Sequence, residues 1–257
     1  MIAIIAPAKR IADKRRFMET MNTEIRFPAE SKQLIKRLRR FSPEDLSKLM
    51  KINSHLSELN YNRFQHWHYP FGEEAVHAAA AFDGEVYNGL NAITLSAGDL
   101  AYAQKHLRIL SGLYGILRPF DGIQPYRLEM GIPLRLEKSS NLYNFWGKKI
   151  AKALEADLAD QGDNTLINLA SDEYSKAVLP YMSGKIKLIT PAFKEFKNGK
   201  FIMVIVFAKK ARGLMSRFII ENRLSDPEHL KAFDTEGYLY EPSMSDENRF
   251  TFTRGWN

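Results

Sequence analysis

The sequence predicts an α+β (mixed α/β) fold, with a central mixed sheet and surrounding helices. Segments with helical periodicity and clear helix starts cluster in the first half of the chain, whereas short strand-like segments cluster in the second half. The 257 residues are 45% hydrophobic and 26% charged, which is enough to bury a large core. No linker rich in proline, glycine or serine interrupts them, so we expect a single domain over residues 1–257.

The first half begins with a short apolar strand at residues 2–6 and continues through a basic stretch at 9–26 without clear periodicity. Ser42-Pro43 followed by two acids is typical of a helix start, because serine caps, proline suits the first turn and acids favour the positive end. Ser96 with Asp99 gives a second such start. The segments predicted to be helical are 30–40, 42–51, 54–64, 72–81 and 96–106.

The second half is richer in strands. Asn198-Gly199 between two apolar runs predicts a hairpin of strands 192–196 and 201–208, because this pair readily adopts positive φ. The other predicted strands are 165–170, 185–190, 237–240 and 249–253. The predicted helices are 144–160, 209–224 and a short one after Asp226-Pro227.

The net charge of +7 lies entirely in residues 1–70, which hold 14 basic and 7 acidic side chains. Such an excess attracts polyanions. Two runs of cations could form a phosphate-binding surface, or the second could simply be a solvated helix face. These runs are Lys9, Arg10, Lys14, Arg15 and Arg16, and then Lys32, Lys36, Arg37, Arg39 and Arg40.

Residues 107–119 contain two glycines, Gly112 and Gly115, after a capped helix. Together with Leu113, Tyr114 and Arg118 they approximate a helix-hairpin-helix element, in which glycines let backbone N–H groups approach a DNA phosphate. The glycine spacing is one residue longer than usual, and an ordinary tight turn between a strand and a helix explains the pattern as well.

A polar group follows the apolar run at 165–170. Asn168, Ser171, Glu173 and Tyr174 come where a buried strand ends, which is where α/β sheets bind ligands. Helix capping explains Ser171 without a ligand, but it does not explain an asparagine inside an apolar run.

Cations stand at the expected start of the helix at 209–224, namely Lys209, Lys210 and Arg212. Positive charge is unfavourable at a helix N-terminus, so this placement points to a bound phosphate or carboxylate. Aromatic residues around Arg127, at 126–131 and 142–147, could stack bases, line a small-molecule pocket or belong to the core.

Several kinds of chemistry are excluded or disfavoured. Without cysteine the chain has no disulfide, thiolate metal site or cysteine nucleophile. His66 and His68 lack a nearby third ligand, so we expect no metal and no cofactor. No apolar run reaches the length of a membrane span and no secretory signal is recognisable, which favours a cytoplasmic protein.

Six segments resemble the bacterial YaaA peroxide stress protein family, and the resemblance extends over essentially the whole chain. The segments are Pro7-Ala8-Lys9, 107–119, 124–131, 142–147, 168–174 and 208–224. The resemblance implies a cytoplasmic protein of the hydrogen peroxide response that limits intracellular free iron and protects DNA from oxidative damage. It also implies a DNA-binding protein with a positively charged cleft and a helix-hairpin-helix element, which would fall at 110–115 here. The cleft cations would be Lys9, Arg118, Arg127, Lys209, Lys210 and Arg212.

One departure from the family pattern is Ala6, where the family usually has serine, so no role is expected for that hydroxyl. The sequence thus supports two functional hypotheses, beside the plain alternative of a basic scaffold without a specific ligand. The first is a DNA-binding protein, expected to be a monomer, that contacts mainly the phosphate backbone. The second is an enzyme for a small anionic or nucleotide-like substrate, with Lys9, Asn168, Glu173, Tyr174 and Lys209 lining its cleft and Glu173 or Tyr174 as general acid or base.

Overall fold

The computed structural model describes residues 1–12 and 23–255, so the basic side chains Lys14, Arg15 and Arg16 lie outside the described residues. The strands are β1 (Ile2–Ile5), β2 (Arg10–Ile11), β3 (Val76–His77), β4 (Phe82–Asp83), β5 (Leu107–Ser111), β6 (Gly115–Leu117), β7 (Gly122–Ile123), β8 (Thr165–Leu169), β9 (Lys187–Ile189), β10 (Ala192–Lys197), β11 (Lys200–Ile202), β12 (Leu239–Tyr240) and β13 (Thr251–Arg254). The α-helices are α1 (Pro28–Leu38), α2 (Pro43–Met50), α3 (Ser54–His66), α4 (Ala78–Ala81), α5 (Glu85–Leu90), α6 (Ala97–His106), α7 (Leu142–Trp146), α8 (Lys149–Asp160), α9 (Asp172–Ser175) and α10 (Ile205–Glu221). Short 3₁₀ helices lie at Ala92–Thr94, Leu179–Tyr181, Pro227–Ala232, Thr235–Gly237 and Pro242–Met244.

A five-stranded sheet forms the centre of the fold, in the order β6-β5-β1-β8-β9. β1 pairs in parallel with both β5 and β8, β9 extends the parallel set, and β6 is antiparallel to β5. Every residue of β1, β5 and β8 is buried. Parallel strands covered on both faces have continuous apolar sequences, which explains the run Ile-Ala-Ile-Ile of β1.

A second, four-stranded sheet has the order β11-β10-β13-β12. The predicted hairpin joins β10 to β11 through Asn198 and Gly199, both with positive φ. β13 pairs in parallel with β10, so the end of the described chain closes this sheet. Two further short pairs, β2 with β4 and β3 with β7, complete the strands and confirm the mixed α/β class.

The predicted helix starts are confirmed by their hydrogen bonds. Ser42 and Asp45 form a reciprocal capping box at the start of α2, with Pro43 in the first turn. Ser96 and Asp99 do the same for α6. In each case the side chains satisfy backbone N–H groups that have no partner inside the helix, so the helix begins at a defined residue.

Residues 107–119 form a β-hairpin, so the predicted helix-hairpin-helix element is wrong. α6 ends at His106, and the next residues extend along β1 as β5 before β6 returns antiparallel. The physical reason is the run Leu-Arg-Ile-Leu, which can bury a strand beside β1. Gly115 has a φ of 72°, which closes the turn. Gly112, Leu113, Tyr114 and Gly115 are all buried, so the turn is not a surface element for phosphates.

Three other predicted boundaries are wrong. Residues 72–81 are helical only at Ala78–Ala81, because Val76–His77 pairs with β7. The helix at 144–160 is divided into α7 and α8 at Gly147, whose φ is 46°. The strand predicted at 201–208 ends at Ile202, and α10 already begins at Ile205 because its buried residues recur with helical spacing from Ala208 onward.

α5 and α10 cross with their backbones in close approach at two glycines. A Cβ at Gly89 would stand 2.2 Å from the carbonyl oxygen of Lys210, and a Cβ at Gly213 would stand 1.8 Å from that of Val86. Only glycine fits at such a crossing. The contact fixes α10 against α5. As a result, the cations of α10 lie near the carboxyl ends of β1 and β8.

Candidate functional site

A cavity of about 280 Å³ lies at the carboxyl ends of β1 and β8. The chain passes from β1 to β5 and β6 on one side of β1, and later to β8 and β9 on the other side, so the strand order reverses here. Ligands of open α/β sheets bind outside the carboxyl ends of the strands at such a switch point. The loop Ala6–Arg10 and the residues that follow β8 line the cavity.

Lys9 and Arg10 bring two exposed cations to the opening directly after β1. The Lys9 Nζ lies 3.8 Å from Glu129 Oε1, and its side chain is 68% exposed. Arg10 pairs with Asp83 at 3.3 Å across the β2–β4 contact. Lys9 therefore has a distant carboxylate neighbour and most of its surface in solvent.

The extended segment at residues 126–129 forms a second wall, and the buried hairpin turn holds it. A Cβ at Gly112 would stand 2.1 Å from the carbonyl oxygen of Leu128, so the turn and this segment are in backbone contact. The hydroxyls of Ser111 and Tyr126 are hydrogen-bonded at 2.6 Å. Gly112 thus lets the turn pack against Leu128 beneath the cavity, and it is not placed to bind a phosphate.

The side chains of Arg127 and Glu129 lie on the same side of this segment. Arg127 donates from Nε and Nη2 to Glu129 Oε1, at 3.1 and 2.9 Å. Glu129 Oε2 is buried and has no hydrogen-bond partner within the described part of the chain. A buried carboxylate oxygen without a donor is unfavourable unless a ligand or water supplies one.

The third wall is α9, which begins directly after β8. Glu173 Oε1 accepts a hydrogen bond from the backbone N–H of Gly131 at 2.9 Å. Tyr143 donates its hydroxyl to the Glu173 carbonyl oxygen at 2.9 Å. Burial raises the pKa of Tyr174 well above the usual tyrosine value, and the nearby Tyr126, among other groups, raises it further. Tyr174 is therefore neutral at physiological pH, and its hydroxyl can donate a hydrogen bond.

The fourth wall is α10, which contributes Lys209 and Arg212. Lys209 is exposed and forms no ion pair with a described residue. Burial lowers the pKa of the Arg212 guanidinium, and the charge of Asp172 opposes this change. No hydrogen bond or ion pair joins that guanidinium to any residue in the ranges 1–12 and 23–255. A half-buried guanidinium without a partner is suited to bind an anion.

The charge of the cavity is mixed rather than uniformly positive. Its lining holds five cations and four carboxylates, together with the rings of Tyr87, Tyr126 and Tyr174. Tyr87 donates its hydroxyl to the carbonyl oxygen of Ala6, so that ring is fixed in place. Binding sites for small molecules commonly combine apolar walls with a few oriented polar groups.

The structure brings together most of the residues predicted for the enzyme hypothesis and four of the predicted DNA-binding cations. These lining residues are Lys9, Arg127, Glu173, Tyr174, Lys209 and Arg212. They come from four distant parts of the sequence.

The other predicted residues lie elsewhere. Asn168 is buried near the end of β8, where it accepts a hydrogen bond from the N–H of Ala170 and reaches Thr190, and it does not line the cavity. Arg118 is bound to Asp121 and to the carbonyl oxygen of Glu24. Lys210 points to Glu236, with 2.5 Å between its Nζ and a carboxylate oxygen.

The argument that placed cations at a helix N-terminus is also wrong in its geometry. α10 begins four residues before Lys209, so the cations lie beyond its first N–H groups. Sequence reasoning also missed Glu129. The signal that could have found it is Arg127-Leu128-Glu129, which places opposite charges two residues apart on one side of an extended segment.

The described chain offers neither a cluster of metal ligands nor a helix suited to a membrane. Residues 1–12 and 23–255 contain no group of three or more His, Asp or Glu side chains placed to hold a metal ion. None of the helices in those ranges combines the length and the apolar character that crossing a membrane requires.

The fold and the site define an α/β protein with a small polar cavity at the switch point of its parallel strands. A family model described as "Peroxide stress protein YaaA" matches residues 1–244. The chain therefore belongs to the YaaA peroxide stress protein family. It is 49% identical over 259 residues to a UPF0246 protein of Acaryochloris marina, covering 99% of this chain and 100% of that protein. It is 47% identical over 256 residues to a UPF0246 protein of Saccharophagus degradans, covering 99% of each.

Proposed function

We propose that this chain acts in the cytoplasmic response to hydrogen peroxide as a DNA-binding protein that contacts the phosphate backbone around the cavity opening. Its family membership supports the link to peroxide stress. The observation that carries the DNA part is the convergence of Lys9, Lys209 and Arg212, from distant segments, on one opening at the end of the sheet.

The mode of binding follows from the sizes involved. A cavity of about 280 Å³ holds no duplex, so a duplex would lie across its opening. Lys9 and Lys209 are exposed at this opening. The Lys9 ammonium group lies 3.8 Å from a Glu129 oxygen, and Lys209 forms no ion pair with a described residue. Contacts of this kind position a protein on the phosphate backbone and do not read base sequence.

The proposal includes protection of DNA through a lower level of intracellular free iron. This part rests on the family resemblance alone. Because no side-chain cluster of the site resembles an iron-binding set, we assign it an indirect effect on iron.

The test is a salt titration of the affinity for a labelled DNA duplex, followed by fluorescence anisotropy. The logarithm of the affinity should fall linearly with the logarithm of salt concentration, by about 0.9 per neutralised phosphate. Lys209→Gln should weaken binding to all sequences alike and reduce the salt slope by about one contact.

Two matched variants serve as controls. Lys185 is exposed beside Asn164, just before the amino ends of β8 and β9, at the opposite end of the sheet from the cavity. Lys210→Gln removes a charge one residue from Lys209, but that lysine already pairs with Glu236. Lys185→Gln should leave the affinity and slope unchanged, and Lys210→Gln should change them less than Lys209→Gln. Affinity that is flat with salt, or equal effects of all three variants, would refute the proposal.

A second candidate function is an enzyme for a small anionic or nucleotide-like substrate. The convergence of Lys9, Glu173, Tyr174 and Lys209 in a cavity too small for a duplex favours it. Since Tyr174 stays neutral, Glu173 would be the general base, and the Tyr174 hydroxyl would orient the substrate by a hydrogen bond. Glu173→Gln should then abolish turnover of a phosphorylated substrate and retain its binding, and unchanged turnover would exclude this role for Glu173.

A further inference from the structure

Three charged side chains of the cavity lining, one acidic and two basic, have an atom or group without a partner among the described residues. On the wall formed by residues 126–129, Glu129 Oε1 is occupied by Arg127, whereas Oε2 is buried and receives no hydrogen bond from the described residues. Burial without a donor is costly for a carboxylate oxygen, and a ligand N–H or O–H would remove that cost.

On the wall formed by α10, the unpartnered groups are cations. Arg10 pairs with Asp83, and Arg127 and Lys9 share Glu129. Among the described cavity-lining cations, this leaves Lys209 and Arg212 without a carboxylate in an ion pair. A planar guanidinium beside a flexible ammonium group matches the requirements of one phosphate group.

We propose that the cavity binds a single nucleoside monophosphate unit. The phosphate lies against Lys209 and Arg212, and Glu129 Oε2 accepts a hydrogen bond from a base N–H or a sugar hydroxyl. The rings of Tyr87 and Tyr126 supply an apolar surface for the nucleoside. This proposal deepens the second candidate function, and it holds whether or not the chain binds duplex DNA.

Size and charge both limit the ligand to one phosphate. A volume of about 280 Å³ is at the lower end of small-molecule sites, which start near 300 Å³. Five cations against four carboxylates leave an excess of only about one positive charge, less than the charge of about −2 on one phosphate monoester, so the lining offers nothing for a second phosphate. The ligand is either a free mononucleotide or one unstacked nucleotide of a strand, since both present the same groups.

The experiment is isothermal titration calorimetry on the full chain. The probes are the four ribonucleoside and four deoxyribonucleoside monophosphates, the corresponding nucleosides, and inorganic phosphate. At least one mononucleotide should bind more tightly than both its nucleoside and phosphate. A single-stranded oligonucleotide and a duplex of the same sequence are further arms. If the single strand binds and no mononucleotide does, the site takes its nucleotide from a strand. In that case Arg212→Gln should weaken binding of the single strand.

The variants separate the two halves of the site. Arg212→Gln should weaken mononucleotide binding about tenfold and leave nucleoside binding unchanged. Glu129→Gln should weaken nucleoside binding about tenfold without weakening phosphate binding, because it removes the acceptor but also frees the charges of Lys9 and Arg127. The matched controls are Glu58→Gln, on the exposed side of α3, and Lys185→Gln, and both should bind as the wild type does. Thermal unfolding checks that each variant is folded, and Arg212→Lys gives a milder second variant that should restore part of the phosphate contribution.

Two results would overturn the proposal. The first is that neither a mononucleotide nor a single strand binds to the wild type more tightly than inorganic phosphate does. The second is that the folded Arg212→Gln protein binds mononucleotide and single strand as the wild type does, while the folded Glu129→Gln protein binds nucleoside as the wild type does. Failure of duplex binding with retained mononucleotide binding would refute the proposed DNA function and support this site.

Discussion

Replacement of Gly213 by alanine should destabilise the protein by about 2 kcal/mol or more. The new Cβ would stand 1.8 Å from the carbonyl oxygen of Val86 and 2.8 Å from the N–H nitrogen of Leu90. These neighbours are backbone atoms, so α5 and α10 must separate, at a cost at or above the upper end of about 1–3 kcal/mol for overpacking. Alanine gains about 1 kcal/mol over glycine in a helix interior, which offsets part of this cost.

The assay is urea unfolding together with thermal unfolding. A loss of about 2 kcal/mol corresponds to a fall in Tm of about 4–8 °C for a chain of roughly this size. Gly98→Ala is the matched helical control, because its Cβ would meet the end of the flexible Arg223 side chain at 3.3 Å and the Ser96 Oγ at an ordinary contact distance of 3.9 Å. Its stability should stay within about 0.5 kcal/mol of the wild type.

A double variant sharpens the test. Gly89→Ala should also destabilise, since its Cβ would stand 2.2 Å from the carbonyl oxygen of Lys210. Both substitutions act on one helix crossing, so their combined cost should be smaller than the sum of the two single costs. Wild-type stability in Gly213→Ala, or strict additivity in the double variant, would refute the close crossing described here.

Two further predictions concern the turn and a histidine. Gly112→Ala would place a Cβ 2.1 Å from the carbonyl oxygen of Leu128, so we expect a loss of about 2–3 kcal/mol in urea unfolding. Burial lowers the pKa of His106, which donates a hydrogen bond to the Met1 carbonyl oxygen and stacks on Tyr102. The folded state therefore favours the neutral ring. Its contribution to stability is complete above about pH 6.5 and is lost as the pH falls through the lowered pKa, so His106→Gln should show a weaker loss of stability on acidification.

Each of these two predictions has a measurable result that would contradict it. Gly184 has open space around it, so Gly184→Ala is the control for the turn and should unfold as the wild type does. A Gly112→Ala protein as stable as that control would contradict the backbone contact beneath the cavity. For the histidine, identical pH dependence in His106→Gln and wild type would show that this imidazole does not titrate differently on folding.

The parts of the fold that were predictable are those with a local physical cause. The capping pairs at Ser42 and Ser96 bond backbone N–H groups at the start of their own helices, and Asn198-Gly199 forms the turn of its own hairpin. Residues close in sequence are therefore sufficient to predict these elements. The apolar run of β1 was recognisable because a parallel strand is buried on both faces.

The parts that were not predictable depend on distant partners. Residues 107–111 continue as a strand because they pair with β1, about a hundred positions earlier in the chain. The glycines at 112 and 115 looked like a phosphate-binding pair, whereas Leu128 and the Trp146 ring are what require them. No pattern within the turn itself contains that information.

The arguments that predicted the cavity residues differ in how well they match the observed geometry. The residues that follow β1 and β8 line one cavity, because the carboxyl ends of parallel strands meet at one edge of the sheet. Lys209 lines the cavity although the reason given for it, a position at a helix N-terminus, does not hold. Glu129 was missed because the importance of its second oxygen comes from burial, which only the three-dimensional structure shows.

The central position of β1 has a consequence for how the chain is made. Its two partners, β5 and β8, begin at residues 107 and 165, so neither exists when β1 leaves the ribosome. At about 5–20 residues per second, roughly 5–20 seconds pass before the first partner is synthesised. During this interval the apolar Ile2–Ile5 segment has no sheet to join, and assembly of the sheet must wait for contacts of long sequence separation. The order of synthesis thus runs from the middle of the sheet outward.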